Sequence, residues 1–158
     1  MYQKDYILRM IEMLGELLRA MFGMIKKRQF TQAEESIGEA YLTMLRKDSA
    51  FFQEIPADKL TKTLLEDHNY THQHLEILAE LMYAEAELNY ARNKISDSLP
   101  FYQKSLVLFE FVDDAYRTWS EDRIKKINKI RERLFEGRGE MGDGETGKKG
   151  RRGDWVKG

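Results

Sequence analysis

The sequence predicts an all-α protein made of antiparallel helix hairpins. Eight of the eleven glycines lie beyond residue 136 and the chain has only two prolines, so little interrupts a helix before that point. The same region is rich in Leu, Met, Ala, Glu, Lys and Arg, which lose little rotamer freedom in a helix. Its apolar residues recur every three or four positions, which is the period of an amphipathic helix.

The first predicted helix runs from Asp5, a candidate N-cap, to about Lys27. It carries two neighbouring apolar stripes. The first stripe comprises Ile7, Ile11, Leu14, Leu18, Met21 and Ile25. The second stripe comprises Tyr6, Met10, Met13, Leu17 and Met24. Because the two stripes cover so much of the helix circumference, we expect this helix to be covered on more than one side.

A capping box at residues 31–34, Thr-Gln-Ala-Glu, predicts a second helix that reaches about Lys47. Its buried face is expected to comprise Phe30, Ala33, Ile37, Ala40 and Met44. An apolar connector at residues 51–56 follows. A short helix is then predicted from Ala57 to Glu66, and the residues expected to face the core are Leu60, Leu64 and Leu65.

Thr71 is predicted to cap a long helix from His72 to Asn93. Its expected inner face comprises Leu75, Leu78, Ala79, Met82, Ala86 and Tyr90. The next helix has candidate caps at residues 96–98, and Pro100 is tolerated there only within the first turn. Its expected core residues are Tyr102, Leu106, Phe109, Val112 and Tyr116.

A last amphipathic helix is predicted from Glu121 to Glu136, with its Lys and Arg side chains facing outward. The residues expected to face inward are Ile124, Ile127, Ile130 and Leu134. Residues 1–136 are therefore predicted to form one helical domain of five to six helices. Residues 137–158 hold eight glycines and many charges, which predicts a flexible tail.

The chain resembles itself at an offset of 65 residues, which aligns Leu14 with Ala79 and Ile25 with Tyr90. In the second helix of each half, large and small residues alternate at the same spacing: Phe30, Ala33, Ile37 and Ala40 match Ile95, Ser98, Tyr102 and Ser105. This pattern resembles the tetratricopeptide repeat. The resemblance implies a right-handed array of hairpins at about 5–47 and 71–118. An ordinary helical bundle is the alternative.

Two further runs, at residues 5–15 and 75–82, resemble a bacterial family of uncharacterised, repeat-like helical proteins. That resemblance spans roughly residues 3–112. It implies a bacterial origin and the same fold, and it implies no catalytic residue.

Composition argues against several classes of function. The net charge is −1, with 26 basic and 27 acidic residues interspersed, so we expect neither a nucleic-acid partner nor a membrane partner. The chain has no cysteine, which excludes disulfides and thiolate metal ligands. Charges recur from Lys4 onward without a long apolar run, so we expect no signal peptide and a cytoplasmic location.

Candidate chemistry is sparse. The three histidines, His68, His72 and His74, form a cluster that leaves metal binding open, although a solvated loop is the simpler reading. Adjacent acids at residues 34–35, 66–67, 113–114 and 121–122 diverge by about 100° within each pair on a helix, which disfavours a catalytic pair. We therefore expect no enzyme and no cofactor.

These observations favour a helical protein–protein interaction module that binds a protein or peptide. We expect a homodimer through the first helix, at the stripe of Tyr6, Met10, Met13, Leu17 and Met24. The alternative is a small helical-bundle enzyme or ligand-binding protein with an unrecognised site.

Overall fold

The computed structural model describes residues 2–116 and 120–142. Within these ranges the chain forms seven α-helices and no strand, which confirms the predicted all-α class. The helices are α1 (Tyr2–Lys26), α2 (Phe30–Ala40), α3 (Ser49–Gln53), α4 (Leu60–Asp67), α5 (His72–Ala91), α6 (Ile95–Tyr116) and α7 (Glu121–Gly142). A π-helical turn, Tyr41–Leu45, continues α2, and a 3-10 turn, Ala57–Lys59, precedes α4. None of these helices is both long and apolar enough to cross a membrane.

Helix α5 is the centre of the fold. It packs most extensively against α6 and also contacts α1, α2 and the π-helical turn. Eleven of its twenty residues are buried, and they lie on every side of the helix. The predicted inner face is buried as expected except for Tyr90, which is half-buried. Burial on all sides explains why α5 shows less contrast between its faces than α1 does.

The internal repetition is confirmed by the helix boundaries. α1 ends at Lys26 and α5 ends at Ala91, while α2 begins at Phe30 and α6 begins at Ile95. The positions in each of these pairs differ by 65 residues, the offset at which the sequence matches itself. The two hairpins therefore turn at the same register.

The turn of each hairpin also has the same backbone geometry. Arg28 and Asn93 adopt the left-handed conformation, with φ of 62° and 66°. The residue after each donates its N–H to the carbonyl five positions back, at 2.8 Å in both turns. This is a Schellman motif, which satisfies the free carbonyls at the end of α1 and α5.

Two predicted helix starts are wrong by a few residues. The capping box at residues 31–34 does not form, because the turn ends at Gln29 and α2 already begins at Phe30. α6 likewise begins before its predicted caps, so Pro100 is its sixth residue rather than a first-turn residue. Proline has no N–H to donate at that position, so the helix lacks the hydrogen bond that residue 100 would make to the carbonyl of exposed Ser96.

The segment from Arg46 to Thr71 contains one helix more than predicted. Asp48 caps α3 by accepting the Phe51 N–H at 3.0 Å, and Phe52 becomes part of the core. Leu60 and Leu64 of α4 are fully buried as expected. The total of seven α-helices in the described ranges exceeds the five to six expected, and the tetratricopeptide-type array stays a prediction.

Helix α7 is longer than predicted, since it continues to Gly142 instead of ending at Glu136. Gly137, expected to open the tail, is buried against Leu99 of α6. A Cβ at position 137 would lie 2.5 Å from Leu99 Cδ2, so any larger residue there would have to displace the Leu99 side chain. Residues 143–158 lie outside the described ranges.

Candidate functional site

The two stripes of α1 have different surroundings. Ile7, Leu14, Leu18 and Met21 of the first stripe are buried in the core. In the second stripe Tyr6 and Met13 are 47% and 52% exposed, and Leu17 and Met24 are half-buried. We call these four residues of the second stripe the α1 flank. It is an apolar strip on the first helix of the chain.

Met10 does not belong to the α1 flank. Its side chain is only 5% exposed and is part of the core. It follows Ile7 by three residues and precedes Leu14 by four, so it lies on the same side of the helix as these buried residues. The prediction that Met10 is one of five interface residues is therefore wrong, because Met10 is a core residue.

Charged residues border the α1 flank. Arg9 and Glu16 are exposed and lie seven residues apart, which places them on one side of α1. The ion pairs found in the described part of the chain involve neither residue. Two opposite charges thus lie beside an exposed apolar strip, and neither has an ion-pair partner among the described side chains.

A second group of polar residues joins α5 to α7. The Lys126 ammonium lies 2.6 Å from Glu80 and 3.1 Å from Asp122, and it also lies 5.7 Å from the centre of the Tyr83 ring. Burial raises the pKa of Glu80, while Lys126 opposes that rise. Burial by itself lowers the pKa of Lys126, but the Glu80 and Asp122 carboxylates together outweigh it and the pKa is raised. The short contact between the two side chains joins α5 to α7.

The same helix pair meets again two turns further along, where Tyr102 of α6 also takes part. Tyr102 of α6 donates its hydroxyl hydrogen to Glu87 at 2.5 Å and accepts a hydrogen bond from Arg133 Nε at 3.1 Å. The Arg133 guanidinium also lies 3.5 Å from the centre of the Tyr90 ring. Burial raises the pKa of Tyr102, and the Glu87 charge adds to the rise, so the phenol stays protonated. We had expected Lys and Arg of α7 to face outward, and this is wrong for three of them. Arg123 is buried and pairs with Asp113 of α6, while Lys126 and Arg133 are half-buried and pair with acidic side chains of α5.

A third polar group lies where the π-helical turn meets α5. Glu85 accepts hydrogen bonds from the Tyr41 hydroxyl at 2.8 Å and from the Ser49 hydroxyl at 2.9 Å. Burial raises the pKa of Glu85. A serine beside a carboxylate lacks the histidine that would take up the serine proton in nucleophilic catalysis. The group stabilises the junction and offers no reactive centre.

The histidines are directed to three different neighbours. The His68 ring meets Phe51 edge-on at 5.1 Å, and the His72 ring stacks on Phe111 at 5.7 Å. His74 completes the capping box of α5, since its Nδ1 accepts the Thr71 N–H at 3.0 Å. Within the described ranges, no group of three or more His, Cys, Asp or Glu side chains is placed to hold a metal ion.

A shallow groove of about 410 Å³ lies between α6 and α7. It is lined by Glu110, Asp113, Asp114, Ile124, Ile127, Asn128 and Arg131. Arg131 pairs with Glu110 at 2.5 Å, and Arg123 pairs with Asp113, so two of its three carboxylates already have cationic partners. The groove is open to solvent and holds no serine, cysteine or histidine.

Comparison with known proteins adds no relative: no protein-family model, no curated protein and no solved structure matches the chain. The resemblances to the tetratricopeptide repeat and to the bacterial helical family therefore stay predictions. The polar groups that join α5 to α6 and α7 were missed by the sequence analysis. Glu80 and Glu87 on α5 share a seven-residue spacing with Lys126 and Arg133 on α7, but this spacing does not by itself show that the two helices are neighbours.

Proposed function

We propose that this protein is a helical interaction module that binds another protein chain through the α1 flank. The observation that supports the proposal is the exposure of Tyr6 and Met13 beside half-buried Leu17 and Met24. Large apolar side chains that are clustered on one helix face are typical of protein interfaces. α1 packs mainly against α2 and α5, so its flank is open for a further helix.

The polar groups of the interior favour this role over the alternative of an enzyme or ligand-binding protein. Glu80, Glu85 and Glu87 are each hydrogen-bonded or ion-paired to side chains of the same chain. A substrate site needs polar groups that converge on an open cavity. Each of these three carboxylates is instead paired with a side chain of a neighbouring element. They stabilise the scaffold that presents α1.

We further propose a cytoplasmic protein or peptide as the class of partner. The near-zero net charge and the mixture of both signs support a protein partner over nucleic acid or an anionic membrane. The lack of cysteine fits a reducing compartment. The bacterial origin implied by the sequence resemblance belongs to the same proposal.

The proposal is tested by photo-crosslinking in the expressing cell. A benzophenone amino acid replaces Met13 in one variant and Glu132, an exposed residue of α7, in a matched control. Irradiation is expected to yield discrete protein adducts from position 13 and none from position 132. A second copy of this chain counts as a partner. Equal or absent adducts at the two positions would contradict a binding role for the flank.

A further inference from the structure

The charges beside the α1 flank specify which partner fits it. Arg9 and Glu16 have opposite charges, are both exposed and are two helical turns apart on one side of α1. A helix that packs on the flank meets both charges, and the best partner presents an acid opposite Arg9 and a base opposite Glu16. A second α1 helix that runs in the opposite direction has this pattern.

The arrangement follows from two-fold symmetry. If two α1 helices pack antiparallel with the axis between residues 12 and 13, each position faces the position whose number completes a total of 25. Arg9 then faces Glu16 of the partner subunit, and Glu16 faces Arg9 of the partner subunit. In a parallel pair each residue meets its own copy, so Arg9 would face Arg9 and Glu16 would face Glu16. Like-charge contacts disfavour the parallel pair.

The apolar residues fit the same register. Position 13 is level with position 12 of the partner subunit, but Glu12 lies about 100° around the helix from the flank. The nearest flank residue across the axis is therefore the second copy of exposed Met13, one residue away along the helix, and the two flexible thioether side chains pack together. The ion pairs between Arg9 and Glu16 and the contact between the two Met13 side chains therefore form in a single register.

On this basis we infer that the α1 flank is occupied by a second copy of this chain, with the two α1 helices antiparallel and joined by reciprocal Arg9 to Glu16 ion pairs. The inference rests on the proposed function, because it names the partner of the same surface. The inference goes beyond the proposed function because it assigns the relative direction of the two α1 helices, their register and the residues that select the partner.

The test uses charge reversal in the full-length chain. Arg9→Glu creates two contacts between acids across the axis, and Glu16→Arg creates two contacts between bases. Each single variant is expected to self-associate about tenfold more weakly than the wild type. The two single variants mixed together regain both ion pairs and are expected to associate as tightly as the wild type, as is the double variant.

Sedimentation equilibrium measures the masses, with Lys62→Glu on α4 as a control at an exposed residue that has no ion pair in the described ranges. The wild type and the control are expected at twice the chain mass of 18.7 kDa. A wild type that stays at 18.7 kDa up to about 100 µM overturns the inference. A dimer that neither single reversal weakens, or that the control weakens as much, overturns the antiparallel pairing.

The two proposals fail in different ways. A monomeric wild type whose position 13 crosslinks to a different protein contradicts the self-association and supports the interaction module. A monomer without any crosslink contradicts both. A dimer that responds to the charge reversals supports both.

Discussion

Removing the positive charge of Lys126 is the sharpest perturbation of the fold. Its ammonium is the cation that compensates Glu80, and both side chains are about one-eighth exposed, at 14% and 12%. Lys126→Met keeps an unbranched side chain near Phe22 and Tyr83 but leaves the Glu80 carboxylate buried without a cation. Loss of one member of a buried pair costs about 3 kcal/mol of unfolding free energy. For a domain of this size that lowers the Tm by roughly 10 °C.

The neighbouring residue supplies a matched control. Lys125 is 74% exposed and pairs only with Glu121 in the described ranges, at 3.7 Å, so Lys125→Met is expected to change stability by less than about 0.5 kcal/mol. Urea unfolding followed by circular dichroism at pH 7 measures both variants. An equal loss in the two variants would refute the interpretation of Lys126 as a buried counterion.

The pH dependence gives an independent check. Burial raises the pKa of Glu80 in the folded chain, and removal of Lys126 raises it further. A carboxyl group with a raised folded-state pKa binds its proton more readily when folded, so its contribution to stability grows as the pH falls. Lys126→Met is therefore expected to recover part of its lost stability at pH 5. The same deficit at pH 7 and pH 5 would contradict the uncompensated charge.

Two further predictions concern the ends of helices. Burial lowers the pKa of His74, and its neutral Nδ1 accepts the Thr71 N–H, so this capping contribution is present at neutral pH and is lost as the pH falls below 6.5. His74→Gln keeps an acceptor, and at pH 5 it is expected to be more stable than the wild type by about 0.5 kcal/mol in urea unfolding, with no difference at pH 7. Truncation after Gly142 is expected to leave the Tm unchanged, whereas truncation after Glu136 lowers it by a few degrees because the contact of residue 137 with Leu99 is lost. Equal melting temperatures for the two truncations would contradict a role for the last turns of α7.

The ion pairs between α5 and α7 affect specificity as well as stability. Ile127 and Ile130 bury α7 against the core, yet apolar contacts alone allow a helix to slide by a turn. Glu80 and Glu87 lie two turns apart and receive Lys126 and Arg133, which are also two turns apart. A shift by one turn would leave buried charges unpaired, so this spacing defines the register of α7.

The candidate surface was predictable only in part. The helical period assigned Tyr6, Met13, Leu17 and Met24 to a stripe separate from the core stripe of α1. The same period could not decide whether Met10, at the border of the two stripes, is inside or outside. That depends on where α2 and α5 approach α1, and these contacts join residues far apart in the chain.

The sequence by itself determined the local features: the all-α class, the Thr71 cap, the 65-residue repetition and most core positions. These depend on side-chain periodicity and on hydrogen bonds between residues a few positions apart. Only the tertiary structure decided that α5 is central, that Lys126 and Arg133 are half-buried against α5, and that α7 continues beyond Glu136. A lysine that faces solvent and one that pairs with a buried glutamate occur in the same helical pattern. The difference between them is set by a partner about 46 residues away, a separation that no local pattern records.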